Sequence, residues 1–352
     1  MTAVRIPADL LKRPAEEAAR RLALVQLERA AESRKQLVDG ERDEALHDFR
    51  VALRRLRSIL RSHRSTFSVE FPKKALRRLA ALAAATNPGR DAEVQLVWLA
   101  SFTDELKPAE RAGHRELTRE LAQRRDESYR IVEREIVRDF AGIAEELAER
   151  LVAYKVAMNL ERPARPPSFA AATREALTRS AGEFLDRLGQ VESVADETAA
   201  HAARIAAKRL RYLAEPVVPW IGAARRPVEL LKEVQDLLGE LRDGQLLAAL
   251  VGQALAEFES KRAQRLIEAT LDGPLTPAQE RVPVGRRERS GLIAVARRLG
   301  ARRSELFLSL AQDWLGEGAP RRQALVAALA ELDRSLAAPP RRRLGRAVPA
   351  PR

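Results

Sequence analysis

Three features of the 352-residue chain predict an all-α protein. Hydrophobic residues make up 45% of the positions and aromatics only 4%, with Ala, Leu and Arg, all strong helix formers, in excess. The period-two clusters of Val, Ile, Tyr and Thr that mark strands are missing. Proline and glycine gather at a few breaks instead of recurring at hairpin spacing.

Taken in order, the apolar periodicity predicts helices near 8–38, 43–66, 71–86, 90–106 and 110–158. Asn87-Pro88-Gly89 is read as the stop between the third and fourth. The run Arg162-Pro163-Ala164-Arg165-Pro166-Pro167 cannot continue a helix and marks a linker at 161–168. Beyond it, helices are expected near 168–190, 196–215, 225–240, 243–270, 290–315 and 319–337. Residues 276–289, rich in Pro, Gly and Arg, read as a loop. Residues 338–352, which include Pro339-Pro340-Arg341-Arg342-Arg343, read as a disordered basic tail.

Composition also removes function classes. With no cysteine there is no disulfide, thiolate metal site or Cys nucleophile. No apolar run approaches the roughly 20 residues of a membrane span. Met1–Lys12 lacks a signal-peptide core, so a cytoplasmic protein is expected. The net charge is +13 and the pI near 10.6. An excess of that size attracts polyanions, though charge alone does not choose among nucleic acid, anionic lipid and polyphosphate.

The chain repeats itself. His47-Asp48-Phe49-Arg50-Val51-Ala52-Leu53-Arg54-Arg55-Leu56-Arg57 matches His201-Ala202-Ala203-Arg204-Ile205-Ala206-Ala207-Lys208-Arg209-Leu210-Arg211. An Arg-Asp pair follows each copy at nearly equal distance, Arg90-Asp91 and Arg242-Asp243. The doublet Lys73-Lys74 recurs as Arg225-Arg226. The repeats are placed at 8–160 and 169–337.

On a helical wheel, His47, Arg50, Arg54, Arg57 and Arg61 share a wedge of roughly 80°. Phe49, Ala52, Leu53, Leu56, Ile59 and Leu60 form a separate apolar face. In the second copy His201, Arg204, Lys208 and Arg211 share a wedge, opposed by Ala203, Ala206, Leu210 and Leu213. Cations stacked without acids at i+3 or i+4 repel one another. A solvated Arg face is the alternative reading, but the same stripe at the same register in both repeats favours an anion site. Metal binding fits poorly, because the neighbours of each histidine along the stripe are cations. His63 and His114 have no repeat partners and are read as surface residues. Arg20, Arg21, Arg134 and Arg138 lie outside the motif and form a charge-matched comparison set.

The doubled H-x-x-R-x-x-x-[RK]-R-L-R helix with its Arg-Asp pairs resembles the conserved-histidine α-helical domain (CHAD) family, over about residues 10–335. The resemblance implies two four-helix repeats related by a pseudo-twofold axis around a basic groove or pore that binds inorganic polyphosphate. Carried onto this chain, the implied anion ligands are His47, Arg50, Arg54, Arg57, Arg61, His201, Arg204, Lys208 and Arg211. Arg55 and Arg209 would line the edge. Lys73, Lys74, Arg77, Arg225 and Arg226 form a second tier, with Arg90 and Arg242 from the Arg-Asp pairs. Asp91 and Asp243 would orient arginines. Glu93 stands where the family's R-D-x-D-V run has Asp, and Arg242 where a His is common. The E-x-E-x-K strand of the phosphatase domain fused to some members is absent.

No cofactor or catalytic residue is expected. The stripes hold no aromatic residues for base stacking and no base-reading polar residues, so nucleic acid is the less favoured partner. No phosphate-binding Gly-rich loop accompanies them, and a phosphohydrolase is less favoured still. A non-enzymatic polyphosphate binder associated with polyphosphate granules is the expectation.

Overall fold

A computed structural model describes residues 6–40, 42–67, 71–152, 166–271 and 286–338. The tail from 339 onward and most of the expected linker and 276–289 loop lie outside the described residues. Among the described residues the chain is all-helical, and no β-strand occurs. The helices are α1 (Ala15–Asp39), α2 (Arg42–Ser62), α3 (Lys73–Ala85), α4 (Asn87–Phe102) and α5 (Arg111–Val152), followed by α6 (Phe169–Gly189), α7 (Glu197–Ala214), α8 (Arg225–Leu271), α9 (Arg286–Trp314) and α10 (Pro320–Ala337).

Four boundaries differ from the expectation. The helix expected from residue 8 starts at Ala15, after Pro14, and residues 286–289, read as loop, form the first turn of α9. The helices expected at 225–240 and 243–270 are one continuous helix, α8. Gly239 and Gly244 lie inside it, since an interior glycine costs only about 1 kcal/mol that packing can override. Asn87-Pro88-Gly89 does not stop a helix but forms the first turn of α4, where a proline is tolerated because its missing N–H would have no intrahelical partner. The actual break is at Thr86, whose hydroxyl donates to Ala83 O at 2.8 Å.

The described chain forms two compact units, and each draws on both sides of the proline linker. The first comprises residues up to 87, 130–238 and from 310 onward; the second comprises 88–129 and 239–309.

In the first unit, α1 ends at Gly40, whose left-handed φ of 91° lets its N–H reach the carbonyls of Gln36 and Leu37. The chain then reverses so that α2 packs along α1. The apolar face read from periodicity is the buried one: Phe49, Ala52, Leu53, Leu56, Ile59 and Leu60 are all in the core. Phe49 meets Phe140 edge-to-face, with ring centroids 4.9 Å apart. In the same way Ala203, Ala206, Leu210 and Leu213 bury the inner face of α7. Corresponding helices of the two repeats pair, α1 with α6 and α2 with α7. The starts of α1 and α6 exchange backbone hydrogen bonds, Ala15 N to Pro167 O at 3.0 Å and Phe169 N to Arg13 O at 2.8 Å.

Arg20, placed outside the motif in the comparison set, is 3% exposed. It donates to Glu16 Oε1 and to the carbonyls of Arg150 and Leu151, tying α1 to the end of α5. His63 and His114 are also interior, not surface, at 4% and 6% exposure. His63 packs on the Phe169 ring, and burial pushes it down to about 4, so it is a neutral core residue. The His114 ring hydrogen-bonds Leu99 O at 2.8 Å.

The second unit has its own core, built on Leu99, Phe102, Leu117, Leu121, Leu247, Val295 and Leu299 from α4, α5, α8 and α9. Here α5 and α9 meet backbone to backbone. A Cβ on Gly113 would sit 2.1 Å from Glu288 O, and one on Gly291 would sit 2.2 Å from Glu110 O. Glu288 O is part of the first turn of α9 and Glu110 O lies in the turn that leads into α5, so both are main-chain atoms with little room to give. Gly113→Ala or Gly291→Ala should therefore destabilise the protein by about 1–3 kcal/mol, read as a lower thermal midpoint. Gly142→Ala, whose Cβ would meet nothing within 4 Å, should leave the midpoint unchanged or raise it.

Candidate anion-binding site

Because α2 and α7 bury their apolar faces in the same unit and pack on each other, their cationic stripes meet. Lys208 of α7 lies within electrostatic reach of Arg54 and Arg50 of α2 and of Arg204 and Arg211 of its own helix. Burial first, and then these four positive charges, push its ammonium down to about 7. Arg54 is shifted down as well, chiefly by burial and further by Arg211 and Arg55. Arg57 is lowered by burial and by Arg61. Such shifts mean that a neighbouring negative charge would be favourable.

The stripes border an open cleft of about 600 Å³ between α2, α6 and α7, whose lining includes the cations Arg54, Arg57, Arg61, Arg179 and Lys208, and Arg209 paired with Glu183. The Nε atoms of Arg54 and Arg204 and the Tyr212 hydroxyl are buried and have no hydrogen-bond partner among the described residues. Buried polar atoms are seldom left that way in a native protein.

One end of the cleft is braced by a single carboxylate, an amide and an aromatic ring. Glu215 accepts from Arg211 Nη1 and lies 3.6 Å from Arg55 Nε, so a single carboxylate bridges α2 and α7. Arg211 Nε also donates to Gln235 Oε1 of α8 at 3.1 Å. The guanidinium carbons of Arg54 and Arg211 lie 5.7 and 4.8 Å from the Tyr212 ring centroid, close enough for cation–π attraction. Burial, foremost, raises the Tyr212 hydroxyl, which stays protonated and able to donate.

Three of these bracing residues, Tyr212, Glu215 and Gln235, are invisible to the repeat comparison. Tyr212 faces Ser58 in the first copy, and Glu215 lies past the shared motif, so matching the copies excluded what is particular to the second. The spacing Arg211–Glu215 is nonetheless a readable i,i+4 pair.

Among the other expected ligands, Arg57 and Arg61 also line a second cleft with Lys73 and Arg77. His47 is exposed near the start of α2 and His201 is half-buried. Lys74 and Arg225 are exposed, and Arg226 pairs with Glu229 at 3.6 Å. Arg90 and Arg242 belong to the second unit, where Arg90 donates to Glu93 at 2.7 Å. Arg55 and Arg209 each meet an acid, Glu215 and Glu183.

The described residues thus form an all-helical protein with a cationic cleft bordered by α2, α6 and α7. It belongs to the CHAD domain family, whose pattern it matches over residues 19–252. Two solved structures share the fold. One is the crystal structure of the CHAD domain from the plant Ricinus communis, 19% identical over 94% of this chain and 95% of that one, with a TM-score of 0.56. The other is PptA from Streptomyces chartreusis, 15% identical over 90% of this chain and 100% of that one, with a TM-score of 0.58. No curated protein matches the sequence. No helix among the described residues is long and apolar enough to cross a membrane.

Proposed function

We propose that this chain binds inorganic polyphosphate, without catalysis, in the cleft between α2 and α7. The observation that carries this reading is the set of half-buried cations, Arg54, Arg204 and Lys208, held against one another, with the buried Nε atoms of Arg54 and Arg204 lacking a partner among the described residues. Holding like charges together in a partly desolvated site costs stability, and an anionic ligand repays that cost. A linear polyphosphate has oxygens along its whole length and no bases, so spaced guanidinium forks are sufficient to hold it. His47 and His201 stand at the head of each stripe.

Nucleic acid fits less well. The single aromatic of the cleft, Tyr212, is only 8% exposed and is engaged by two arginines, so it is not a stacking platform for bases. The pairing of α1 with α6 and of α2 with α7 supports two repeats related by a pseudo-twofold axis, with the basic groove along it. In this reading the protein is cytoplasmic, needs no cofactor, and associates with polyphosphate granules.

The direct test is binding of purified protein to long-chain polyphosphate, single-stranded DNA and double-stranded DNA at equal phosphate and matched salt. Polyphosphate should bind at least about tenfold more tightly than either, a difference of about 1.4 kcal/mol. Equal affinities would reduce the protein to a general polyanion binder.

A further inference from the structure

The cleft described above is not the end of the cationic surface. Arg57 and Arg61 also border a second cleft, of about 610 Å³, between α2 and α3. Its lining has two characters. Arg57, Arg61, Arg64, Lys73 and Arg77 supply positive charge, and among the described residues no carboxylate pairs with any of them. The same cleft is lined by Phe67, Phe71, Leu60 and Leu76.

Phe67 and Phe71 are both half-buried. Their rings meet edge-to-face at 4.8 Å with an interplanar angle of 88°. The ring that contributes its edge keeps both faces clear of its partner. The Arg20 guanidinium carbon lies 6.0 Å from the Phe67 ring centroid, and Arg20 is held there by Glu16 and two carbonyls. Phe67 is therefore tied to the buried Arg20, and Phe71 reaches it through Phe67.

A purely inorganic polyphosphate has no use for an aromatic wall. A fatty acyl chain would use the leucines but gains nothing from a flat ring face. A ligand with a flat heteroaromatic ring at one end and several phosphates at the other satisfies both halves. The volume suits a small molecule, since such sites occupy roughly 300–1,000 Å³. We propose that the cleft between α2 and α3 binds a nucleoside polyphosphate, its base against Phe67 and Phe71 and its phosphates on Arg57, Arg61 and Arg77. Because Arg57 and Arg61 belong to both clefts, such a ligand competes with the end of a polyphosphate chain for the same two guanidiniums. The site stands independently of the polyphosphate reading, as its distinguishing feature is the recognition of a ring.

The test compares adenosine 5′-triphosphate with inorganic tripolyphosphate, which carry similar charge, by calorimetry on the full chain at one ionic strength. Base stacking should make the nucleotide about tenfold tighter. In Phe67→Leu/Phe71→Leu, which keeps the wall apolar but removes its ring faces, that preference should vanish. Tripolyphosphate and long-chain polyphosphate affinities should stay unchanged in the same variant. A second measurement needs no variant: saturating the protein's aromatic protons should transfer signal to the adenine protons of bound nucleotide. Equal affinities for the two ligands in the unaltered protein, a preference that survives the double substitution, or no transfer to adenine would each overturn the proposal. A protein that prefers the nucleotide but does not hold long-chain polyphosphate would refute the preceding reading and leave this one standing.

Discussion

Changing Arg50, Arg54, Arg204 and Lys208 together to alanine is expected to abolish polyphosphate binding while the thermal midpoint holds or rises. All four side chains belong to one cluster, in which Lys208 is destabilised by the other three and by Arg211. Removing them relieves repulsion and leaves the apolar faces of α2 and α7 untouched. The midpoint gain is limited by the lost contact of Arg54 with the Tyr212 ring. By analogy with single-stranded nucleic acid, each lost phosphate contact lowers the slope of log affinity against log salt by roughly 0.7, so the variant should lose about three units.

The comparison variant must remove equal charge without touching the core. The set Arg20, Arg21, Arg134 and Arg138, chosen by spacing alone, fails this requirement because Arg20 is buried and bonded to three oxygens. Lys35, Arg119, Arg134 and Arg138 are all exposed and serve instead. Salt titrations of both quadruple variants read the outcome. Equal losses of affinity and slope would mean that net charge, not a site, holds the polymer.

Binding is also expected to weaken as pH rises above 7, and Lys208 is the reason. In the free protein its ammonium is pushed down to about 7 by burial and by Arg54, Arg204, Arg211 and Arg50, against roughly 10.4 in an unfolded chain. A bound polyphosphate supplies negative charge and raises that value, so binding above pH 7 takes up a proton. Affinity should then fall by up to about tenfold per pH unit between 7 and the value in the complex.

The stability of the free protein has the opposite dependence. Between about pH 7 and 10 the unfolded chain holds a proton on Lys208 that the folded chain has shed, so this group makes stability rise with pH across that window. Below pH 7 both states are protonated and the dependence disappears. Lys208→Arg keeps a charge at every pH and should flatten the affinity profile. Lys208→Met should raise the thermal midpoint at pH 7 while weakening polyphosphate. Affinities measured at pH 6, 7, 8 and 9 at constant ionic strength decide the matter. A Lys208→Arg profile as steep as that of the unaltered protein would locate the titrating group elsewhere.

The other groups facing Lys208 cannot produce the same profile. The arginines stay protonated throughout this range, and burial raises the Tyr212 hydroxyl. Glu215 is held by Arg211 and lies near Arg55. His63, buried against Phe169 and pushed down to about 4 by that burial, contributes nothing above pH 7.

What could be read from the sequence is what depends on local spacing. The separation of Phe49, Leu53, Leu56 and Leu60 from Arg50, Arg54, Arg57 and Arg61 is dictated by 3.6 residues per turn, and the structure buries the first set. The recurrence of both faces after His201 was equally legible, and Ala203, Ala206, Leu210 and Leu213 are buried as well. Tertiary structure alone decided which faces meet. Only the packing of α2 on α7 places Lys208 against Arg54, and only long-range contact sets Glu215 between Arg55 and Arg211. The same holds for the burial of Arg20 and His63, which depends on chain distant in sequence, near 150 and 169. Spacing along a helix determines the direction in which a side chain points, but a pKa, an ion pair or a buried donor depends on what the rest of the chain brings opposite it.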